Sequence, residues 1–387
     1  MAIGSTATIA TTLRVGRFCR LIHRLCAAAI AASLFAASSS AAENDAKQPA
    51  VAHVASRVAD AIKNKGVGVT VAARSTGDDN GNVFCNGIRL QDQIVVINTR
   101  NLCGCADSEM LRAGILVESF AVVDETGCRC WQPGDLQSFL NFDPTVPTVI
   151  FVHGNQISPY DAKSEGLFVY RRMILHGCDA PPIRFVIFSW PSSKIPGLLH
   201  DIRVKAARTG PAGYQLAWLV DQLPPETPLS FVGFSFGARI ITGGLHVLAG
   251  GSLGGCCCLS EHVHPERPPM SVILMASALH SYWLAPGQYH GLAMTQVSRM
   301  CLINNCDDSA MKYYGFIEPG LCGPQALGLC GPTCISPDYA QKIINRDVSC
   351  SVGSEHLLTR YVCAPGDAGL IWEYTAGSSL NEIPASH

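Results

Sequence analysis

A single serine framed by glycines, Gly233-Phe234-Ser235-Phe236-Gly237, is the strongest chemical signal in the sequence. With 36 glycines in 387 residues the spacing alone arises by chance, so its surroundings carry the weight. The apolar run Leu229-Ser230-Phe231-Val232 precedes it, and residues 238–249 follow it with apolar side chains at helical spacing; the serine therefore falls on a strand-to-helix turn. So tight a turn has no room for side chains two positions either side, which glycine satisfies. The Ser235 hydroxyl would stand above a sheet at the start of a helix, where backbone N–H groups and the helix dipole favour developing negative charge. That suits nucleophilic attack on a carbonyl, if a base lies within hydrogen-bond reach.

Such turns take their partners in the chain order serine, acid, histidine. Among the later histidines, His246 lies within the expected helix, His262 and His264 in a cysteine-rich stretch, and His280 and His290 after the apolar run at 272–276. A further run at 300–303 ends in Asn304-Asn305-Cys306-Asp307-Asp308, where carboxylates emerge at a strand end, and only His356 and His387 follow it. His387 is the final residue, where chains fray, so His356, in a glycine-bearing loop before a short apolar segment, is the candidate base. A solvated histidine beside Glu355 is the plainer alternative. Asp307 and Asp308 are both candidates for the acid, and either could instead cap a helix over 309–314. Upstream, Thr148-Val149-Ile150-Phe151-Val152-His153-Gly154-Asn155 reads as a strand and the loop after it. The N–H groups of Asn155 and Phe236 are the expected oxyanion donors. Trp190 and Phe234, with Phe236 and Trp283, are candidates for an apolar acyl site, although aromatic residues near a sheet are more often core.

The elements that must hold these residues follow from hydrophobic pattern. Runs at 94–97 and 115–123 are β-branched and bounded by turn residues, which suggests opening antiparallel strands. From residue 146 onward, apolar runs at 146–152, 183–189, 229–233, 272–276 and 300–303 alternate with helical patterns at 162–176, 214–223 and 238–249. Strands apolar on both faces and separated by helices predict an α/β architecture with a mostly parallel sheet covered on both sides. Cysteine- and proline-bearing stretches at 252–269 and 320–337 read as loop insertions.

Composition limits the partners. Net charge is −2 and 15% of residues are charged, so there is no basic excess to attract nucleic acid. Arg14, Arg17, Arg20 and Arg24 precede an apolar run at 25–37 and small residues ending at Ala42, the pattern of an export leader. The run is short of the roughly 20 residues needed to span a bilayer, which favours cleavage near Ala42 over retention as an anchor. The reading by segments is 1–42 leader, 43–90 polar lead-in, 91–365 α/β domain and 366–387 tail. Of the 18 cysteines, two lie in the leader, and the dense remainder of an exported chain predicts disulfides. Cys103, Cys105, Cys128 and Cys130 could instead form a structural zinc site, although C-x-C departs from the usual C-x₂₋₄-C spacing. No cofactor is expected, and a membrane-surface partner is compatible but not indicated.

Four segments in order, Val152-His153-Gly154-Asn155, Phe188-Ser189-Trp190-Pro191-Ser192, the serine turn, and Asp308-Ser309-Ala310-Met311, resemble those of a poorly characterised group of bacterial α/β-hydrolases over residues 93–365. Two departures are visible: no aromatic residue separates Gly154 from Asn155, and Phe234 stands where such chains often have histidine. The resemblance implies the α/β-hydrolase fold and serine hydrolase activity, and it favours Asp308 over Asp307. The expected function is cleavage of ester-type bonds, including lipid or acyl esters, through Ser235, His356 and Asp308. The alternative is a catalytically inactive exported protein that keeps the fold as a binding surface.

Overall fold

The computed structural model describes residues 87–377 except 103, 123–128, 255–258, 260–266 and 318–322, together with the backbone of residues 76–77 and 83–85. The expected leader, most of the lead-in and His387 lie outside the described residues, as do Cys256, Cys257 and Cys258.

Strands β1 (Thr76–Gly77), β2 (Val83–Cys85) and β3 (Ile88–Arg89) form a small antiparallel sheet. The main sheet contains β4 (Gln93–Asn98), β5 (Leu116–Val122), β6 (Arg129–Gly134), β7 (Thr148–Val152), β8 (Arg184–Ser189), β9 (Leu229–Phe234), β10 (Met270–Met275), β11 (Val297–Asn304) and β12 (Ile343–Asp347). Among the described residues its order is β12-β11-β10-β9-β7-β8-β4-β5-β6. Neighbours from β12 to β4 run parallel, and β5 pairs antiparallel with both β4 and β6. With a central strand feeding the serine turn, this is the α/β-hydrolase arrangement.

Each inner strand is apolar on both faces because both are covered. Along β7, Val149 and Phe151 join one core with Leu167, Val169, Tyr170 and Met173 of α1 (Pro159–Ile174). Ile150 and Val152 point the other way and join Leu216, Trp218 and Leu219 of α2 (Leu198–Asp221) and Ile240, Ile241 and Leu245 of α3 (Phe236–Leu248). This period-2 division is what a strand between two helical layers requires. Register brings the working ends level: Val152 pairs with Gly233, Phe234 with Met275, and Met275 with Ile303. The loops after β7, β9 and β11 therefore open on one edge, where ligands bind in sheets of this kind.

Four elements depart from the sequence reading. α2 begins at Leu198, well before the expected helical pattern at 214–223, and carries Pro211 in its interior, a residue that normally signals a helix boundary. β6 and β12 are edge strands with exposed polar residues, so neither shows an apolar run. The tail expected from residue 366 is corrected: Asp367–Tyr374 is helix α4, whose Ile371 and Trp372 enter the same core as α1. Residues 378–387 lie outside the described residues.

Candidate active site

Ser235 sits at φ 54°, ψ −118° between β9 and α3, a conformation that an L-residue adopts at a cost of about 1–3 kcal/mol and only when its surroundings hold it there. They do so from both sides. The Ser235 N–H donates to the Met275 carbonyl at 3.0 Å, and its own carbonyl accepts from Ala238 and Ala278. A Cβ on Gly237 would lie 2.0 Å from the Val152 carbonyl oxygen, and one on Gly233 would lie 2.7 Å from Ile241 Cδ1. The two glycines thus let α3 settle against the end of β7.

The expected partners converge on this hydroxyl. Ser235 Oγ is 3.0 Å from His356 Nε2, and His356 Nδ1 is 2.7 Å from Asp308 Oδ2. Asp308 is fully buried. Burial alone would raise its pKa, but the His356 ring, its hydrogen bond, the Tyr361 hydroxyl and the Met311 N–H together hold it below the usual carboxylate value. The charged carboxylate accepts from Nδ1–H, which leaves Nε2 bare to receive the serine proton. Asp308 meets the partners of both readings, one on each oxygen: Oδ1 caps the short helix Ser309–Lys312 through Met311 N–H at 3.0 Å, while Oδ2 faces the histidine. Asp307 lies outward and pairs with Lys312.

Several contributors were not legible in sequence. Tyr361, in the short helix after His356, donates to Asp308 Oδ2 at 2.5 Å; in sequence it is one more aromatic residue in an apolar segment. Asn305, fully buried, donates through Nδ2 to the Gly353 carbonyl at 2.8 Å, and Ser309 N–H donates to the Ser354 carbonyl. The acid loop and the histidine loop are thereby laced together. His246, His280 and His290 belong to a separate buried group around α3. His290 shares a hydrogen bond with Thr242 at 2.9 Å, and His280 with Tyr314 at 3.0 Å. Burial and the nearby Arg239 charge push His280 down to about 4 and His290 well below its ordinary value, and burial also lowers His246.

The loop after β7 passes beside the nucleophile. A Cβ on Gly154 would lie 3.1 Å from Phe234 Cδ1 and 3.3 Å from Ser235 Cβ, so a side chain there would crowd both and the bare glycine eases the approach of the Gly154–Asn155 peptide. Phe236 is the first residue of α3, whose N–H has no intrahelical acceptor. The Asn155 side chain turns away and donates through Nδ2 to Asp201 Oδ2 at 3.0 Å. Asp201, fully buried, also takes Gln156 Nε2, the Ile195 N–H and Lys205 Nζ.

Of the two substrate-lining candidates, Trp190 requires correction. Trp190 is fully buried, lies against the His153 ring at 5.8 Å between centroids, and donates through Nε1 to the His153 carbonyl at 2.9 Å. It props the loop from beneath, where substrate has no access. Phe234 is 6% exposed and stacks on the His356 ring at 5.0 Å, with Tyr361 edge-on at 5.7 Å. Its ring therefore packs against the candidate base, with the same small exposure as Ser235. Phe236 and Trp283 are buried as well, and Trp283 carries the Arg239 guanidinium over its ring.

The cysteines also depart from expectation. Among the described residues, Cys130, Cys301, Cys306, Cys330, Cys334, Cys350 and Cys363 carry free thiols, so these seven do not form the expected bridges. Cys301 is buried inside β11, where a thiol packs as a small apolar group. Cys105 is disulfide-bonded, which removes it as a thiolate ligand, while Cys103 and Cys128 lie outside the described residues. Among the described residues no three His, Cys, Asp or Glu side chains converge to hold a metal ion.

No family model matches the chain, and no curated protein matches it. Solved structures share a slight likeness. Acyl-protein thioesterase 2 of Zea mays is 12% identical with a TM-score of 0.31, over 61% of this chain and 94% of that one. Esterase B of Lactobacillus rhamnosis is 13% identical with a TM-score of 0.34, over 73% of this chain and 84% of that one. An acetyl xylan esterase is 14% identical with a TM-score of 0.29, over 61% and 96%. The fold assignment rests on the strand order and directions given above.

Proposed function

We propose that the protein is a serine hydrolase that cleaves carboxylic esters, including lipid or acyl esters, through an acyl-enzyme. The observation that carries this reading is the unbroken chain from Ser235 Oγ through both nitrogens of His356 to the buried Asp308 carboxylate. In the first half-reaction His356 Nε2 takes the Ser235 proton as Oγ bonds to the carbonyl carbon, and the carbonyl electron pair moves onto oxygen. Collapse expels the alkoxide, which leaves as the alcohol with the proton held by His356. Water then repeats the sequence on the acyl-serine and regenerates the hydroxyl. The N–H groups of Asn155 and Phe236 are assigned to the oxyanion, each contributing about 3 kcal/mol.

Hydrolysis of p-nitrophenyl esters by the wild type and by Ser235→Ala tests the reading. The variant should lose about 10⁵-fold in kcat or more, down to what binding and oxyanion contacts sustain without the nucleophile. Equal rates would end it, and the fold would remain as a binding scaffold. Export belongs to the same proposal and rests on the arginine-flanked apolar leader. Mass analysis of protein recovered from the producing cell's exterior or periplasm should give a mature chain starting near Glu43; a chain retained inside with Met1 would contradict it.

A further inference from the structure

Beneath the loop after β7 lies an arginine that the mechanism above does not use. Arg100 follows β4, and its guanidinium donates through Nε to Ser189 Oγ at 2.8 Å, through Nη1 to Ser193 Oγ at 3.1 Å, and through Nη2 to the Ile157 carbonyl at 3.0 Å. Nη2 also lies 3.3 Å from His153 Nε2. A guanidinium only donates, so His153 Nε2 must be the unprotonated nitrogen. On the other side of the ring, Nδ1 lies 2.9 Å from the Gly154 carbonyl, which only accepts. Both contacts therefore require one form, the neutral ring with its proton on Nδ1. The ring is fully buried, and burial together with the Arg100 charge pushes its pKa down to about 3.

The Gly154 carbonyl and the Asn155 N–H belong to one planar trans peptide unit and point in opposite directions. A ring that grips the carbonyl thus turns the N–H to the opposite side of the peptide, in a loop so close to the nucleophile that a Cβ on Gly154 would stand 3.3 Å from Ser235 Cβ. We propose that Arg100 is a positioning residue: by holding His153 in its Nδ1–H form, it fixes the Gly154–Asn155 peptide so that the Asn155 N–H faces the oxyanion formed on attack by Ser235. The inference rests on the hydrolase reading for its catalytic consequence, but not for the proton position. With Arg100 absent, the Gly154 carbonyl alone selects the Nδ1–H form, and a form with the proton on Nε2 becomes populated. A bare Nδ1 would then oppose the Gly154 carbonyl oxygen, lone pair against lone pair, and the peptide would lose its grip. Trp190 and Asp201 hold the flanking groups, the His153 carbonyl and the Asn155 side chain, so the loop keeps its course while this one peptide plane is released.

The full chain and its Arg100→Met and Arg100→Lys variants test this. Arg100→Met should lower kcat for a p-nitrophenyl ester by about 10- to 100-fold, approaching the loss of one oxyanion donor, with KM changed less than about threefold. Inhibition by phenylboronic acid, whose tetrahedral adduct places an oxygen in the same hole, should weaken by the same factor. Arg100→Lys, which keeps a donor, should recover part of kcat. Nitrogen NMR of the histidine-labelled wild type should show His153 protonated at Nδ1, and in Arg100→Met an Nε2–H form should appear. A wild-type ring protonated at Nε2, an unchanged ring in Arg100→Met, or kcat within twofold of wild type would overturn the proposal. The wild-type ring measurement needs no variant to fold. A wild type that neither turns over ester nor reacts with a fluorophosphonate would indict the hydrolase reading instead, and the NMR result would still decide whether Arg100 sets the ring.

Discussion

Asp308 does two jobs with two oxygens, and substitutions separate them. Asp308→Asn keeps an oxygen for the Met311 N–H but loses the charge that stabilises the His356 imidazolium and selects its tautomer. Its kcat should fall by about 10³- to 10⁴-fold, with a Tm close to wild type in a thermal melt. Asp308→Ala should lose activity similarly and a further ~1 kcal/mol of stability with the cap. Tyr361→Phe removes one donor from the same carboxylate, and kcat should drop by about tenfold with unaltered KM, measured on the same ester. At this scale the sequence singled out Ser235 and His356, which the fold brings within hydrogen-bond distance, because motif and chain order restrict both. It could not choose between cap and acid at Asp308, since both demand a carboxylate at a helix start. Tyr361 and Arg100 escaped notice for a related reason: their partners are 53 and 53 residues away along the chain, and no local pattern marks such a meeting.

Elements decide whether those residues meet at all. The close approach of α3 to β7 is a backbone contact, and neither side can yield a side-chain rotamer to relieve it. Gly237→Ala, with its Cβ 2.0 Å from the Val152 oxygen, should therefore destabilise by about 3 kcal/mol or more, a fall of at least ~6 °C in Tm. A melt within a degree of wild type would contradict the packing described. The central strands were readable because burial on both faces leaves an apolar run of strand length, as in Thr148–Val152. β6 and β12 were not, because an edge strand meets water, and Asn345, Arg346 and Asp347 give β12 the texture of a loop. Trp190 shows the same limit in a side chain: its type suited a binding surface, and only its depth reveals that it supports His153 from below.

For the molecule as a whole, buried neutral histidines set the response to acid. His153, His246, His280 and His290 all have pKa values below the ordinary 6.5, by burial first and then, for all but His246, by a neighbouring arginine. Below pH 6.5 the unfolded chain takes up protons that the folded chain refuses, so stability falls as pH drops from about 6.5 toward 4. Asp308, also lowered, loses its contribution further down, as pH falls through its folded value. Glu165 works in the opposite sense, since burial raises its carboxyl to about 8 and the folded chain keeps that proton as pH rises. Asp367 is raised by burial in the same sense, and four histidines against these two carboxyls should leave Tm at pH 5 below that at pH 7; a flat profile between the two would contradict these environments. The hydroxyl and its imidazole are 121 residues apart in the chain, and the imidazole belongs to a loop beyond the last strand of the sheet. A polypeptide still emerging from the ribosome consequently holds Ser235 without its partner, and on the proposed reading reactivity waits until β12 and the loop beyond it have docked.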